Sequence, residues 1–392
     1  VAAYHAGVSD NPFEGFPMFG DLAKMFASQG PLNWEVARQL AVWLATGGTP
    51  EPNVDPLQRM KLEELARVAE MHVADATGLP TSTTGSVVTV LPVGRAEWAT
   101  RTLTAYRPLL ERLATSLTPP AAEAEQPDAA AGLLGSLTQM MSPVLLGMQS
   151  GFMVGHLSQQ ALGQYELPVP RHVSDELLLV APNVDAFADD WSLSVDDVRM
   201  WVCLDTLIHH AVLGRPHVRA RLDELLREYV SGFEVNASAL DEKLAEVDPA
   251  DPASFQRVLG DTETLFGAMQ SDAQRALMPR LEALTCVIAG YVDHTMDRVG
   301  SRLVGSYGPL TEALRRRRAE RAQGDRFVER LFGVELGQPQ YERGTGFVRG
   351  VVERAGEAGL ARLWPSAREL PTPAEVDAPG LWLERIDLPD RT

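Results

Sequence analysis

The 392-residue chain has only two cysteines, Cys203 and Cys286. Both sit inside apolar helical patterns, so a disulfide framework is excluded as the source of stability, and two core thiols in a reducing compartment are expected. Positive charge is scarce as well: 35 Lys and Arg stand against 53 Asp and Glu, a formal net charge of -18. That balance argues against nucleic acid or an anionic membrane surface as a partner. Several catalytic signatures are missing. There is no GxSxG elbow, no P-loop and no GxGxxG that follows a strand and opens a helix, and neither cysteine has a basic neighbourhood. The first residues, VAAYHAGVSDNPFEGFPMFG, lack a basic stretch followed by an apolar one, so a secretory signal is not expected and a cytoplasmic location is.

What is present belongs to an ordinary soluble chain, with 45% hydrophobic and 22% charged residues, enough to bury a large core. Helical periodicity runs through WEVARQLAVWLA and DPLQRMKLEELARVAEMHVADATG. SVVTVLPVG reads as a short strand entering a helix, and ELLLVAP as a buried strand. The Pro-, Ala- and acid-rich stretch Thr118 to Gly132 has no apolar face and reads as a linker or excursion. It divides an N-terminal helical region with a short strand (1–117) from a core (133–335) and a C-terminal helical lobe (336–392), which are expected to pack together as one large domain. No internal repeat is visible.

Two stretches raise sharper questions. After the linker, LLGSLTQMMSPVLLGMQSGFMVGHLSQQALGQY carries no Lys, Arg, Asp or Glu and spaces Gly147, Gly151 and Gly155 by four. Ser, Thr, Gln, His156 and Pro143 interrupt it, so a buried helix in close contact with a neighbour is expected rather than a membrane span. The acids Asp185, Asp189, Asp190, Asp196 and Asp197 lack the ligand spacing of a calcium loop and read as solvated loop and helix-start residues. Likewise Arg315, Arg316, Arg317 and Arg318, interleaved with Glu312 and Glu320, read as a solvated helix face.

The chemistry gathers in WVCLDTLIHHAVLGRPHVRARL. Ser194, with Asp197 three residues on, reads as a capping-box-like start, and Gly214, Arg215 and Pro216 end the helix. Asp205 and His209 are four apart and share a face, the spacing that two metal ligands need. His210 lies about 100° round the helix and suits packing or a hydrogen bond instead. His217 is expected to be exposed or capping, and His294 to make one side-chain hydrogen bond. In HExxH sites a glutamate follows the first ligand and acts as general base; here that residue is Thr206, which cannot.

Taken together, PLNWEVARQLA, GFMVGHLSQQALGQYELPVPR, LLLVAPNVDAFADDW, the stretch above, GYVDHTMDRV and the C-terminal QYERGTGFVRGVVERAGEAGLARLWPSARELPTPAEVDAPGLWLERI resemble a bacterial family of zincin-like, hydrolase- or zinc-dependent-metalloprotease-like proteins. The resemblance implies a mainly α fold, α+β with a small sheet, and a zincin-like metallopeptidase-type core built on the helices around His209 and Ala289. It also implies LHELTHHAV where this chain has WVCLDTLIHHAV, placing the zinc histidines at Asp205 and His209 and the catalytic glutamate at Thr206. The third ligand of such proteins opens an EGxxD pattern; here AGYVD puts Ala289 there, a vestigial ligand position, and leaves Asp293 where a ligand-orienting carboxylate would stand. The expectation is a degenerate, non-catalytic zincin with no cofactor, whose former cleft has a binding or structural role toward a protein or peptide. The alternative is a metal-dependent hydrolase or peptidase holding zinc through Asp205, His209 and Asp293, with Cys286 as a softer extra donor.

Overall fold

The computed structural model describes residues 30–117, 129–233, 271–319, 331–334 and 336–389, with only backbone for 129–140. Most of the expected 118–132 excursion lies outside them; its last residues open a helix. In chain order the elements are α1 (Trp34–Thr46), α2 (Pro56–Thr77), β1 (Thr89–Val93), α3 (Arg95–Ser116), α4 (Ala129–Gln160), β2 (Glu176–Val180), α5 (Ala181–Asp190), α6 (Val195–Leu213) and α7 (Pro216–Ser231). Then come α8 (Asp272–Leu303), α9 (Tyr307–Ala319), α10 (Gln338–Leu360), α11 (Pro373–Asp377) and α12 (Pro379–Asp387). The fold is mainly helical with one small sheet. Its two strands are parallel, Thr89 facing Glu176 and Val93 facing Val180, as expected of strands joined by a long helical crossover.

The glycine-spaced segment is the inner part of α4, laid along α1. A methyl added at Gly147 would lie 2.4 Å from the Asn33 carbonyl oxygen, and one at Gly151 2.5 Å from that of Ala37. The glycines therefore serve close backbone approach between two helices. Among the described residues no helix is long and apolar enough to cross a membrane.

The centre of the molecule is made by α6 and α8. Helix α6 is buried on nearly all sides, Cys203, Leu204, Leu207 and Ile208 each being at most 1% exposed, which is what a helix apolar all round requires. It starts at Ser194, whose Oγ accepts from the Asp197 amide at 3.4 Å, and stops before Pro216, which opens α7. The expected capping box is one-sided. Instead of reaching back, the Asp197 carboxylate accepts from the Ser306 amide (2.7 Å) and hydroxyl (2.6 Å), tying the start of α9 to the start of α6. Two other acids of this region also have partners, Asp185 and Asp196 flanking Arg199 and Asp196 holding Lys61 at 2.6 Å, while Asp189 and Asp190 are exposed. Helix α8 crosses α10 backbone to backbone. A methyl on Gly344 would come within 1.9 Å of the Cys286 carbonyl oxygen, and one on Gly290 within 2.2 Å of the Gly344 carbonyl carbon. Both cysteines are buried free thiols.

Candidate functional site

Trp201, Asp205 and His209 stand at i, i+4 and i+8 on α6 and so form one stripe. That stripe is one wall of a cleft. The Asp205 carboxylate lies 3.4 Å from His209 Nδ1, and the same nitrogen donates to the Asp205 carbonyl oxygen at 3.0 Å. Because a carbonyl only accepts, Nδ1 carries the proton in this bond. Burial opposes a charge on His209, but Asp205, its hydrogen bonds and the more distant Asp293 outweigh that and raise its affinity for a proton. The Tyr165 ring stacks on the imidazole, 5.8 Å between centroids and 20° between planes.

The cleft has two compartments. An inner cavity of about 90 Å³ is lined by Asp205, His209, Tyr165, Glu166 and Arg317 among others. An outer groove of about 690 Å³ is lined by Asp293, His294, Asp297 and Arg349 among others. Four side chains line both: Trp201, Leu314, Arg318 and Tyr341. Arg318 is thus in the partition. Its guanidinium lies over the Tyr341 ring at 4.1 Å and pairs with Asp293 at 3.4 Å. Burial works against its charge, but Tyr341, Asp293 and Asp205 outweigh that and hold it firmly protonated. Asp293 is pushed above the usual carboxylate range by burial, with Arg318 opposing and the Asp205 charge adding to the effect. Arg317 pairs with Glu166 at 3.3 Å and donates to the Gln160 carbonyl oxygen.

The arginine run is therefore not one solvated face. Arg315 and Arg316 are exposed and share Glu312, whereas Arg317 and Arg318 turn into the cleft.

Of the three altered family positions, Asp205 lines the inner cavity, whereas Thr206 and Ala289 lie off its wall. Thr206 is 1% exposed, its hydroxyl has no hydrogen-bond partner, and a methyl on Gly163 would come within 2.6 Å of it. Ala289 is buried beside the crossing of α8 and α10 and lines neither compartment. A zinc ion needs about three convergent donors. Asp205 and His209 supply two, while Asp293 is paired to a guanidinium whose charge opposes a metal. Among the described residues no group of three or more His, Cys, Asp and Glu could hold a metal ion. As they stand, these side chains do not fit zinc.

Behind the stripe is a polar knot that sequence reasoning missed. The Tyr165 hydroxyl donates to His210 Nδ1 at 2.9 Å, and His210 Nε2 faces Asp175 at 3.4 Å. Asp175 also accepts from the Ser82 hydroxyl (2.8 Å), the Thr83 amide and hydroxyl (2.6 and 2.8 Å) and the Thr84 amide (3.0 Å) and hydroxyl. Burial would raise the Asp175 carboxyl, but these donors together hold it far below the usual range. His210 is pushed down by burial, with Asp175 opposing, so its imidazole is neutral. His294 makes its one bond, to Glu357 at 2.9 Å. His217 is half-buried with Nε2 unpartnered, rather than exposed or capping.

With the stripe, the partition and the crossing in place, comparison with known proteins decides the lineage. A family model for zincin-like metallopeptidases matches residues 32–383. The chain belongs to the zincin-like metallopeptidase family. The matched span takes in Asp205, His209, Ala289 and Asp293 together with the elements that carry them. The chain is also similar to a crystal structure from Chloroflexus aurantiacus described as "a putative hydrolase with a novel fold", at 24% identity and a TM-score of 0.65, covering 92% of this chain and 100% of that one. At that identity the likeness speaks to the fold alone. No curated protein matches the chain.

Proposed function

We propose that this zincin-like protein has a degenerate centre and that its cleft binds rather than hydrolyses. The observation that carries the reading is at the general-base position. Zincin chemistry needs a carboxylate beside the ligand pair to take a proton from the attacking water. This chain has Thr206, whose hydroxyl cannot act as that base and faces Gly163 off the cavity wall. Glu166, a carboxylate that does line the inner cavity, is held by Arg317. At about 90 Å³ the cavity has room for roughly three waters at ~30 Å³ each. A peptide or protein segment is therefore assigned to the outer groove, whose volume is in the usual range for ligand clefts.

The rival reading, a hydrolase using Asp205, His209 and Asp293, is favoured by the survival of the Asp205–His209 pair on one helix face. It requires Arg318 to leave Asp293. Metal analysis of untagged, zinc-supplemented protein separates the two. No stoichiometric metal in either wild type or His209→Ala supports the degenerate reading, whereas one equivalent of zinc, lost in His209→Ala, supports the hydrolase.

A further inference from the structure

We infer that Arg318 is a tethered cation that stands in for the metal, its guanidinium balancing Asp205 and Asp293 where a zincin holds a divalent ion. The inference rests on the degenerate reading of the centre and gives it a physical cause. Two half-buried carboxylates on neighbouring walls repel each other and lose part of their hydration, so a fold that keeps both is stabilised by a positive charge between them. Arg318 lines the inner cavity together with Asp205 and the outer groove together with Asp293, and it pairs with Asp293 at 3.4 Å. Arginine suits the task better than lysine, because its planar group is always charged and can stack, as it does on Tyr341 at 4.1 Å.

The delivery is built into the fold. Helix α9 is fastened to α6 through Asp197 and Ser306, so the helix that brings the guanidinium is docked on the helix that carries Asp205 and His209. Arg315 and Arg316 on the same helix face solvent and are satisfied by Glu312. Inward placement is thus confined to Arg317, which pairs with Glu166, and Arg318, which pairs with Asp293, and is not a property of the whole arginine run.

The test removes the tether and offers a free cation. Purified full-length wild type, Arg318→Met and Arg318→Met/His209→Ala are titrated with cobalt(II), reading stoichiometry and visible ligand-field absorption. Arg318→Met is expected to take up one equivalent with visible bands, wild type none, and the double variant to lose the bands. If neither wild type nor Arg318→Met binds cobalt, the surrogate role is overturned while the degenerate reading stands. If wild type already binds one equivalent through His209, both fall. Should Arg318→Met fail to fold alone, the triple variant Arg318→Met/Asp205→Asn/Asp293→Asn, which removes the carboxylates along with the cation, is expected to recover the fold without metal. Failure of that variant to fold would also overturn the proposal.

Discussion

Replacing Asp175 with alanine removes a carboxylate that accepts from Ser82, Thr83, Thr84 and His210 at once. The side chain is only 4% exposed, and so is His210. Water can reach the partly exposed Ser82–Thr84 turn in the variant, so those donors lose about 0.5 kcal/mol each, whereas His210 Nε2 and the Thr83 amide lose about 1.5 kcal/mol each. The expected total is about 5 kcal/mol, measured by urea denaturation at pH 7. Asp175→Asn keeps the shape but not the charge and should cost about half as much. The pH dependence has a definite sign. The folded carboxyl sits far below its ordinary value of 3.8, so its charge stabilises the fold above that value and the stability is lost as pH falls through and below it. The gap between wild type and Asp175→Asn should therefore narrow between pH 5 and pH 3. A cost under 1 kcal/mol for Asp175→Ala, or a gap unchanged over that interval, would refute the reasoning.

Gly344→Ala gains about 1 kcal/mol of helix propensity but drives a methyl into the Cys286 carbonyl, a backbone contact that no rotamer relieves, so a net loss of about 2 kcal/mol and a lower melting temperature are expected. Tyr165→Phe leaves His210 Nδ1 without its donor and should cost about 1–2 kcal/mol in the same denaturation assay. The His210 ring should stay neutral below the ordinary histidine range, seen as imidazole NMR shifts that do not move near pH 6.5. Restoring the family pattern with Asp205→His, Thr206→Glu and Ala289→Glu should yield stoichiometric zinc only when Arg318→Met is added. Zinc binding by the triple variant with Arg318 in place would contradict that expectation.

The elements legible in the sequence are those whose cause is local. ELLLV is an apolar run and becomes β2; Ser194 and Pro216 bracket α6; Gly147, Gly151 and Gly155 have a spacing that only close packing uses. The Asp205–His209 pair follows from helical periodicity in the same way. What stayed hidden depends on tertiary partners. Asp197 is a good capping residue by type, yet its carboxylate serves α9, 109 positions away. Asp175 stands 91 to 93 positions from the hydroxyl-rich TSTTG turn it organises, and a run of hydroxyls needing an acceptor was the available sign. The arginine run held its own clue: at about 100° per residue four consecutive side chains fan right round the helix, so four in a row cannot share one solvated face.

The clasp between Asp197 and Ser306 has a mechanical consequence. From Ser306 to Arg318 are twelve helical residues, a rigid arm of about 18 Å at 1.5 Å per residue. The fulcrum is the clasp, and the guanidinium rides at the far tip. A tilt of roughly 10° at the fulcrum would swing that tip by about 3 Å on the same helical rise, nearly the whole length of its contact with Asp293. The first turn of α6 and the partition between the two compartments are thus joined through one helix, so a change that tilted α9 at the clasp would be felt at Asp293, a full helix length away.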